Sequence, residues 1–426
     1  MEGSSQRRLD CLSRHLLLPP PDHVNPVLYQ ALLKNGEKIT LEPSNPVVIG
    51  GMVLDVHATP SVPPHPRSTT PGKVHYVLGG VARNIAECIS KLGVKPYMIS
   101  AVGTDMPGKL LLEYWNSAGL STEGIRKHAD IQTAVICITF DTEGEVVAGV
   151  ASVEAIEKYL TSSWIQQFRS NISSAPILMV DANLNSSALE ASCRIAAESN
   201  TPVWFEPVSV AKSRRISTVA KYVTFASPNE AELVAMANAL SGGNAFQFDK
   251  DDSKMFSVQS LLQALKPAIM VLLEKGIKMV IVTLGVNGVF LCARWPFDMR
   301  NSLERVNKHG RNGELYDTVS SKCPPSRHLG ATQKRGNSQF FAIHLPALSA
   351  SVVRLTGAGD CLVGGTLTAL CSGLDVIQSV AFGIAVAKTA VEAEANVPAA
   401  FSLGAVADDA RLVYAGAKDL FQESML

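Results

Sequence analysis

The 426-residue sequence lacks a surplus of either charge, since 38 Lys and Arg residues balance 38 Asp and Glu residues. Without a basic surplus or an acidic tail, the charge composition is not the one typical of a nucleic-acid-binding protein. No apolar run approaches the roughly 18 residues of a membrane-spanning helix. The eight cysteines include no Cys-x-x-Cys pair, which predicts free thiols in a reducing compartment rather than disulfides or a zinc site.

What the chain does contain is a long alternation of short apolar strands and amphipathic helices. This alternation predicts an α/β fold, with a doubly wound, mostly parallel sheet flanked by helices. Two further strands at 132–140 and 145–151, together with an excursion after Asp55, predict a small β-sheet lid over the site. The main strands are expected at 46–51, 97–102, 176–181, 202–206, 223–226 and 278–284, and helices at 81–92 and around 107–118.

A late glycine-rich stretch, Gly357-Ala358-Gly359-Asp360, precedes a small apolar run that reads as the start of a helix. Glycines before a helix let backbone N–H groups converge, and the helix dipole favours an anion such as phosphate there. An aspartate fixed beside that anion site could take a proton from a hydroxyl that attacks a phosphoryl group. The alternative is a loop in which Asp360 only caps the helix.

An early stretch supplies the second motif, Gly79-Gly80 followed four residues later by Asn84, with apolar residues at helical spacing after it. Together the two stretches resemble the signatures of the PfkB (ribokinase-like) carbohydrate and nucleoside kinases. The segments 50–55 and 229–232 resemble two further positions of that family. The resemblance spans Val47 to Phe401, with one departure: Arg354 and Leu355 stand where the late signature usually opens with Asp-Thr.

The resemblance implies transfer of a phosphoryl group from ATP to a hydroxyl, with Mg²⁺ as the metal and a K⁺ requirement left open. Asp360 would be the general base, and the backbone N–H groups of Gly357, Ala358 and Gly359 would stabilise the transferred phosphoryl. The same resemblance assigns the sugar hydroxyls to three residues, Asp55, Gly80 and Asn84. As structural alternatives, Asp55 is a turn residue and Asn84 is a helix-surface amide.

On the nucleotide side, the resemblance implies that Asn229 and Glu232 order Mg²⁺ and its waters near the phosphates. The alternative is a helix cap with an exposed glutamate in its first turn. The residues expected beside the nucleotide phosphates and ribose are Thr283, Gly285, Asn287 and Gly288. Asn396 would line the adenine pocket, or else be an amide satisfied at a helix end.

Within the family, the segments Pro71-Gly72-Lys73, 79–86 and 206–209 resemble the pseudouridine-kinase branch, and peroxisomal motifs at the two ends of the chain fit a plant member of it. Lys73, Gln132 and Thr133 would then lie near the substrate, although Lys73 could equally be a solvated surface lysine. The implied reaction is phosphorylation of the 5′-hydroxyl of pseudouridine during RNA-derived nucleoside breakdown. The alternatives are another family kinase, acting on ribose, adenosine or inosine, and a non-catalytic PfkB-like scaffold.

The ends of the chain carry two short motifs outside the predicted kinase domain, 46–415. Arg8-Leu9 and His15-Leu16, in a leader of 1–45, resemble an amino-terminal peroxisomal signal, and Ser424-Met425-Leu426, in a tail of 416–426, resembles a carboxy-terminal one. Peroxisomal import receptors are therefore expected partners. The lid, expected over about 55–78 and 131–151, could pair with that of a second copy. A polar insertion at about 297–340 is expected to be a surface loop.

Overall fold

The protein is described as a computed structural model over residues 45–63, 67–142, 146–247, 257–294, 313–325 and 340–420. Both terminal motifs, most of the 297–340 insertion and the turn at 143–145 lie outside these residues. The strands of the main sheet are β1 (Val47–Ile49), β4 (Tyr97–Gly103), β5 (Ile125–His128), β8 (Leu178–Asp181), β9 (Val203–Glu206), β10 (Phe225–Ala226), β11 (Met279–Thr283), β12 (Val289–Arg294), β13 (Phe340–Leu345) and β14 (Lys418–Asp419).

The main sheet has the order β14-β13-β12-β11-β10-β9-β8-β1-β4-β5, and all neighbours from β11 to β5 run parallel. The predicted mostly parallel sheet is therefore confirmed. Strands β12, β13 and β14 add an antiparallel extension that the sequence pattern did not predict. The chain reverses between β11 and β12 at Gly288, whose φ is 87° and where a Cβ would lie 2.1 Å from the carbonyl oxygen of Leu345.

Helices cover both faces of this sheet, as alternation along its strands requires. In β1, Val47 and Ile49 belong to the core on one face and Val48 to the core on the other, and all three are buried. The helices that the site uses are α1 (Val81–Lys91), α2 (Met106–Ser117), α8 (Glu230–Ser241), α11 (Ala358–Cys371), α12 (Val376–Val391) and α13 (Leu403–Ala415). The others are α3 (Glu154–Tyr159), α4 (Ser162–Gln166), α5 (Arg169–Ser174), α6 (Ser186–Glu198), α7 (Val210–Ser213), α9 (Val258–Glu274) and α10 (Glu314–Lys322). Among the described residues, none of the helices has the length and apolarity to cross a bilayer.

The predicted lid is present as a separate four-stranded sheet of order β3-β2-β6-β7. Its strands are β2 (Val53–Pro60), β3 (Gly72–Gly79), β6 (Ala134–Phe140) and β7 (Val146–Ser152). Asp55 lies inside β2 and not in a loop after β1, so its side chain position is set by the lid sheet. The excursion expected after Asp55 also begins later, because β2 continues to Pro60 before the chain leaves the sheet.

Part of the polar insertion is packed helix, which corrects the prediction of a surface loop. Helix α10 buries Leu315 and Val319, and Cys323 follows it into the same apolar cluster as α12 and α13. Gln378 Nε2 donates to the Cys323 carbonyl oxygen at 2.5 Å, and Lys322 Nζ lies 2.7 Å from Asp408 Oδ1. The apolar residues of this helix are spaced three and four apart, a pattern hidden by the basic residues on either side.

Candidate active site

The carboxyl ends of the parallel strands form the edge at which the polar residues collect, as expected for an open α/β sheet. Strand β1 lies between β4 and β8, so the connections diverge on either side of it. Asp181 at the end of β8 is fully buried, and its Oδ2 accepts a 2.9 Å hydrogen bond from the N–H of Gly51. A Cβ at Gly50 would lie 2.2 Å from this carboxyl group. Burial raises the pKa of Asp181, while the bonds from Gly51 and Asn183 oppose the rise.

The late glycine stretch does form a helix start. Gly357 has a φ of 88°, and a Cβ there would lie 2.2 Å from the carbonyl oxygen of Asn396, so only glycine fits. Asp360 lies in the first turn of α11. The Ala358 N–H donates to the Leu355 carbonyl oxygen at 3.3 Å, whereas a Cβ on Gly359 would meet no heavy atom within 4 Å. The turn thus presents Asp360 beside the beginning of a helix with open space at Gly359.

The early glycine stretch brings Asn84 to Asp360. Helix α1 begins after Gly80, whose φ of 97° and close approach to Gly51 exclude a side chain. Asn84 is 3% exposed, and its Nδ2 donates to Asp360 Oδ2 at 2.6 Å. The alternative of a helix-surface amide is therefore not what the structure shows. The other face of the Asn84 amide is held by Arg83, whose Nη2 donates to Asn84 Oδ1 at 2.5 Å.

Asp55 approaches the same cluster from the lid. Its carboxyl group packs against Gly79, where a Cβ would lie 2.2 Å from Oδ2. Burial raises the pKa of Asp55 to about 6, and the positive charges of Arg83 and Arg354 oppose the rise. Burial likewise raises the pKa of Asp360 to about 6, against the hydrogen bond from Asn84 and the charge of Arg83. Both carboxyl groups are therefore poised to change charge just below neutral pH.

Asn229 and Glu232 form the capping box of α8. Asn229 Oδ1 accepts from the Glu232 N–H at 2.9 Å, and Glu232 Oε2 accepts from the Asn229 N–H at 3.0 Å. The cap of the structural alternative is thus present, but Glu232 is only 7% exposed and does not face solvent. Burial raises the pKa of Glu206 well above its usual range, and the charges of nearby Glu232 and Asp360 add to the rise.

A divalent cation would have few direct ligands here. Over the described ranges, no three His, Cys, Asp or Glu side chains are grouped so that they could hold a metal ion. Magnesium keeps several of its waters and takes the rest of its shell from substrate phosphates, so the pair Asn229 and Glu232 fits such an ion without a protein cage.

The other nucleotide-side predictions fall at two places. Thr283 ends β11 and forms a parallel bridge with Asn229, and a short 3₁₀ turn, Gly285–Asn287, follows it before Gly288. His344 Nε2 lies 2.6 Å from the Asn287 carbonyl oxygen and holds this turn. Asn396 is 2% exposed and lies elsewhere, behind the Gly357 turn, where its Nδ2 donates to the Leu78 carbonyl oxygen at 3.3 Å.

Of the three predicted substrate residues of the lid, Lys73 is not brought to this cluster. Lys73 is exposed and pairs with Thr59, four residues along β2 from Asp55 and so about 13 Å away. Gln132 is exposed as well. Thr133 is buried, and its hydroxyl bonds Asp105 Oδ1 at 2.5 Å and the Gly103 N–H at 2.8 Å, which ties the lid to the start of α2.

Three charged residues occupy the site although no role in it was predicted for them. They are Arg83, Asp181 and Arg354. Arg354 lies beside Asp55 and His57, with a buried Nη1 that has no hydrogen-bond partner among the described residues. The sequence offered one signal for it, since it stands where the family signature has another residue. Asp181 is a lone acid at the end of a strand, which carries no distinguishing pattern.

Comparison with known proteins identifies the class. The model of the pfkB family of carbohydrate kinases matches residues 44–319 and 334–398, and the chain belongs to this family. Residues 320–333, which the match omits, fall inside the predicted insertion. With the geometry of Asp360 and the helix start, the protein is a phosphotransferase that uses an alcohol group as acceptor.

Two relatives and two solved structures narrow the comparison. The chain is 53% identical to pseudouridine kinase of Arabidopsis thaliana over 382 residues, or 89% of this chain and 100% of that protein. It is 24% identical to pseudouridine kinase of Escherichia coli K12, over 82% of this chain and 90% of the relative. Arabidopsis thaliana ribokinase complexed with ribose and ATP superposes with a TM-score of 0.64 at 18% identity, covering 87% of this chain and 99% of that one. Cryptococcus neoformans ribokinase in complex with ADP superposes with a TM-score of 0.61 at 21% identity, covering 86% of this chain and 99% of that one. The ribokinase-like fold is therefore confirmed.

Proposed function

We propose that the protein transfers the γ-phosphoryl group of ATP to the 5′-hydroxyl of pseudouridine. Two observations together support this proposal. The chain is 53% identical to a pseudouridine kinase over the whole of that protein, and the structure brings Asp55, Asn84 and Asp360 into one cluster. Asp360 accepts the proton of the attacking hydroxyl, and the start of α11 receives the charge of the phosphoryl group. Asp55 binds a ribose hydroxyl from the lid side.

Mg²⁺ belongs to this proposal as the ion that neutralises charge on the nucleotide phosphates when bound. Asn229 and Glu232 would hold it through waters at the start of α8. The carboxyl group of Glu206 lies next to Glu232, and a bound cation would oppose the rise in the Glu206 pKa that burial and Glu232 cause. A K⁺ requirement is tested by replacing potassium with a large organic cation in the assay.

A nucleoside panel decides between this function and its alternatives. The purified protein, ATP and Mg²⁺ are incubated with pseudouridine, uridine, adenosine, inosine or ribose, and the phosphorylated product is separated and quantified. Pseudouridine should give the highest kcat/KM. Equal or faster turnover of another acceptor would assign a different kinase of the family, and no turnover of any acceptor would favour a scaffold.

Recognition of the base must distinguish pseudouridine from uridine, because their riboses are the same. The inner face of the lid carries His57 beside Asp55, and burial lowers the pKa of His57, which keeps its ring neutral at pH 7. A neutral imidazole can accept a hydrogen bond from a substrate N–H, and a site built for such a bond rejects an analogue that lacks the donor. Lys73, Gln132 and Thr133 stay predictions for this role.

A homodimer through the lid is part of the proposal. Tyr76 is 60% exposed, Val74 is 59% and Val150 is 74%, and the exposed Cys137 lies between them. The strand pairings put these side chains on the face of the lid opposite Asp55. A second copy of this face would bury the apolar surface. Light scattering should show a dimer that Val150→Glu converts to a monomer, whereas a monomeric wild type would refute the interface.

We also propose a peroxisomal location and a role in the breakdown of RNA-derived nucleosides. The motifs at 8–16 and 424–426 support the location. Fluorescent fusions at the amino end, the carboxyl end or both ends should enter peroxisomes unless both motifs are masked. Import of the fusion that is masked at both ends would contradict the assignment of these motifs as peroxisomal signals.

A further inference from the structure

Arg83 has an unusual environment for a charged residue, since it is 2% exposed and lies in the first turn of α1. Its guanidinium group donates four hydrogen bonds. Nε donates to the Gly79 carbonyl oxygen at 3.0 Å, Nη2 donates to the Leu78 carbonyl oxygen at 2.7 Å and to Asn84 Oδ1 at 2.5 Å, and Nη1 donates to Glu87 Oε2. It therefore joins the end of the lid strand β3 to the amide that touches Asp360.

The bond to Asn84 decides which way the amide faces. Arginine has donors only, so the atom of Asn84 that meets it must be the oxygen. The nitrogen then faces Asp360 and must donate to it, as the 2.6 Å contact shows. If the amide turned over, its oxygen would meet the Asp360 carboxylate, an arrangement that only protonated Asp360 could satisfy.

Arg83 is held in turn by a buried partner. Glu87, one turn further along α1, accepts from Arg83 and from the hydroxyl of Tyr114, and Lys91 Nζ lies 2.6 Å from its Oε1. Burial would raise the pKa of Glu87, but Arg83, Lys91 and Tyr114 outweigh burial and hold it below its usual value. Glu87 is therefore ionised at neutral pH and fixes the guanidinium group.

We propose that Arg83 is a positioning residue for the phosphoryl transfer: by bonding Asn84 Oδ1 it sets the amide so that Nδ2 donates to Asp360, which keeps the general base ionised and correctly oriented. The inference rests on the proposed function in one respect, that Asp360 is the base. It extends that function to a residue that is linked to Asp360 through the Asn84 amide.

The charged groups around Asp360 determine how its titration would respond. They come from every element packed against the first turn of α11: Arg83 and Cys88 from α1, Asp55 from the lid, Asp181 from β8 and Glu206 from β9. The acids raise the Asp360 pKa, whereas Arg83 and the Asn84 bond lower it. Loss of Arg83 removes its own lowering contribution and leaves the Asn84 amide free to turn over, so the pKa of Asp360 should rise.

A double-mutant cycle tests the inference directly. The variants are Arg83→Met, Asn84→Ala and the pair together, compared by KM and by the pH-independent kcat, which the direct effect of the Arg83 charge on the Asp360 pKa does not change. If Arg83 acts through Asn84, each single change lowers kcat by on the order of tenfold or more, and the double variant is little worse than Asn84→Ala alone. Losses that multiply in the double variant would overturn the inference, because they would show two independent roles.

The pH profile of kcat gives a second readout that a structural role would not move. Arg83→Met should shift the acid limb of the profile to higher pH, so activity recovers partly by pH 8.5. Tyr114→Phe is the matched control, since it removes a hydroxyl from the same buried cluster without touching Arg83; its acid limb should stay in place. An unshifted Arg83→Met limb would overturn the inference.

Three further variants guard against failure to fold and against failure of the assumed base. Arg83→Lys keeps a buried cation for Glu87 but lacks the planar fork, and it should reproduce the shifted limb if Arg83→Met does not fold. Arg83→Ala should regain activity with millimolar guanidinium, which a cavity of about 680 Å³ beside Arg83, Glu87 and Arg354 can admit; no regain would contradict a role of the guanidinium group. Asp360→Asn separates the premises: if it keeps wild-type kcat, the proposed base fails, whereas an inactive Asp360→Asn with unaffected Arg83 variants refutes only the role of Arg83.

Discussion

Asn84 Nδ2 donates a 2.6 Å hydrogen bond to Asp360 Oδ2, which joins the starts of α1 and α11 across 276 positions of sequence. The contact makes the two glycine stretches one site, because each stretch places one partner at the beginning of a helix. It also gives the Asp360 carboxylate a fixed donor before any substrate arrives.

Asp360→Asn should lower kcat by about a hundredfold to ten-thousandfold, the usual cost of losing a general base. The amide keeps the size of the side chain and can still accept from Asn84, so KM for both substrates should change little. Steady-state kinetics on the purified variant measure this, and a near wild-type kcat would return Asp360 to the role of a helix-start residue.

The same substitution has an opposite effect on stability. Burial raises the pKa of Asp360 from 3.8 to about 6, so the folded state binds this proton more tightly than the unfolded state does. Stability from this group is present at low pH and is lost as pH rises through about 6. Asn never ionises, and Asp360→Asn should be as stable as the wild type at pH 4 and more stable at pH 7.5, by up to about 3 kcal/mol. Denaturant titrations at both values check the sign, and a variant that is less stable at pH 7.5 contradicts it.

Asp55→Ala should raise KM for the nucleoside by on the order of tenfold to a hundredfold and leave KM for ATP nearly unchanged. A hydrogen bond to a charged group contributes about 1.5–3 kcal/mol, and the lid residue lies away from the Asn229 and Thr283 end of the sheet. Because the pKa of Asp55 is raised to about 6, KM for the nucleoside in the wild type should also increase as pH falls below 6. An equal rise in both KM values would place Asp55 outside the acceptor site.

Gly357→Ala should unfold the start of α11. A left-handed residue with a Cβ costs about 1–2 kcal/mol, and the 2.2 Å approach to the Asn396 carbonyl oxygen adds a clash with backbone that cannot move freely. Gly359→Ala is the control: its Cβ meets nothing, and alanine favours a helix interior by up to about 1 kcal/mol. Thermal unfolding should show a lower Tm for Gly357→Ala only.

Glu232→Gln should raise the Mg²⁺ concentration for half-maximal activity by on the order of tenfold, or about 1.4 kcal/mol. Glutamine can still complete the capping box, so Tm should not fall by more than a degree or two. Titration of activity with Mg²⁺ at saturating nucleoside measures the change. An unaltered Mg²⁺ dependence would contradict the role of Glu232 in holding Mg²⁺ and leave it only its role in the helix cap.

The residues that sequence predicted well are those whose role depends on local backbone chemistry. The sequence predicts a helix start after Gly80 and another after Gly357. Asn84 and Asp360 could therefore be assigned to the first turns of these helices without a structure. Lys73 could not, because its distance from Asp55 depends on the register of β3 against β2. Asp181 escaped notice for a related reason: its partner Gly51 is 130 positions away, and a lone acid at a strand end has no periodic signature.

The lid origin of Asp55 has a consequence for how such enzymes diversify. Under the proposed function, acceptor recognition is encoded on β2 and its neighbours, whereas the base and the phosphoryl-binding turn are encoded on α11. Substitutions in the lid strands can therefore change the acceptor of such an enzyme while Gly357–Asp360 stays the same. Arg83 bonds the carbonyl oxygens of Leu78 and Gly79, so changes to the lid should not extend into this junction. A lid grafted from a relative is therefore expected to function only when Leu78 and Gly79 keep these bonds.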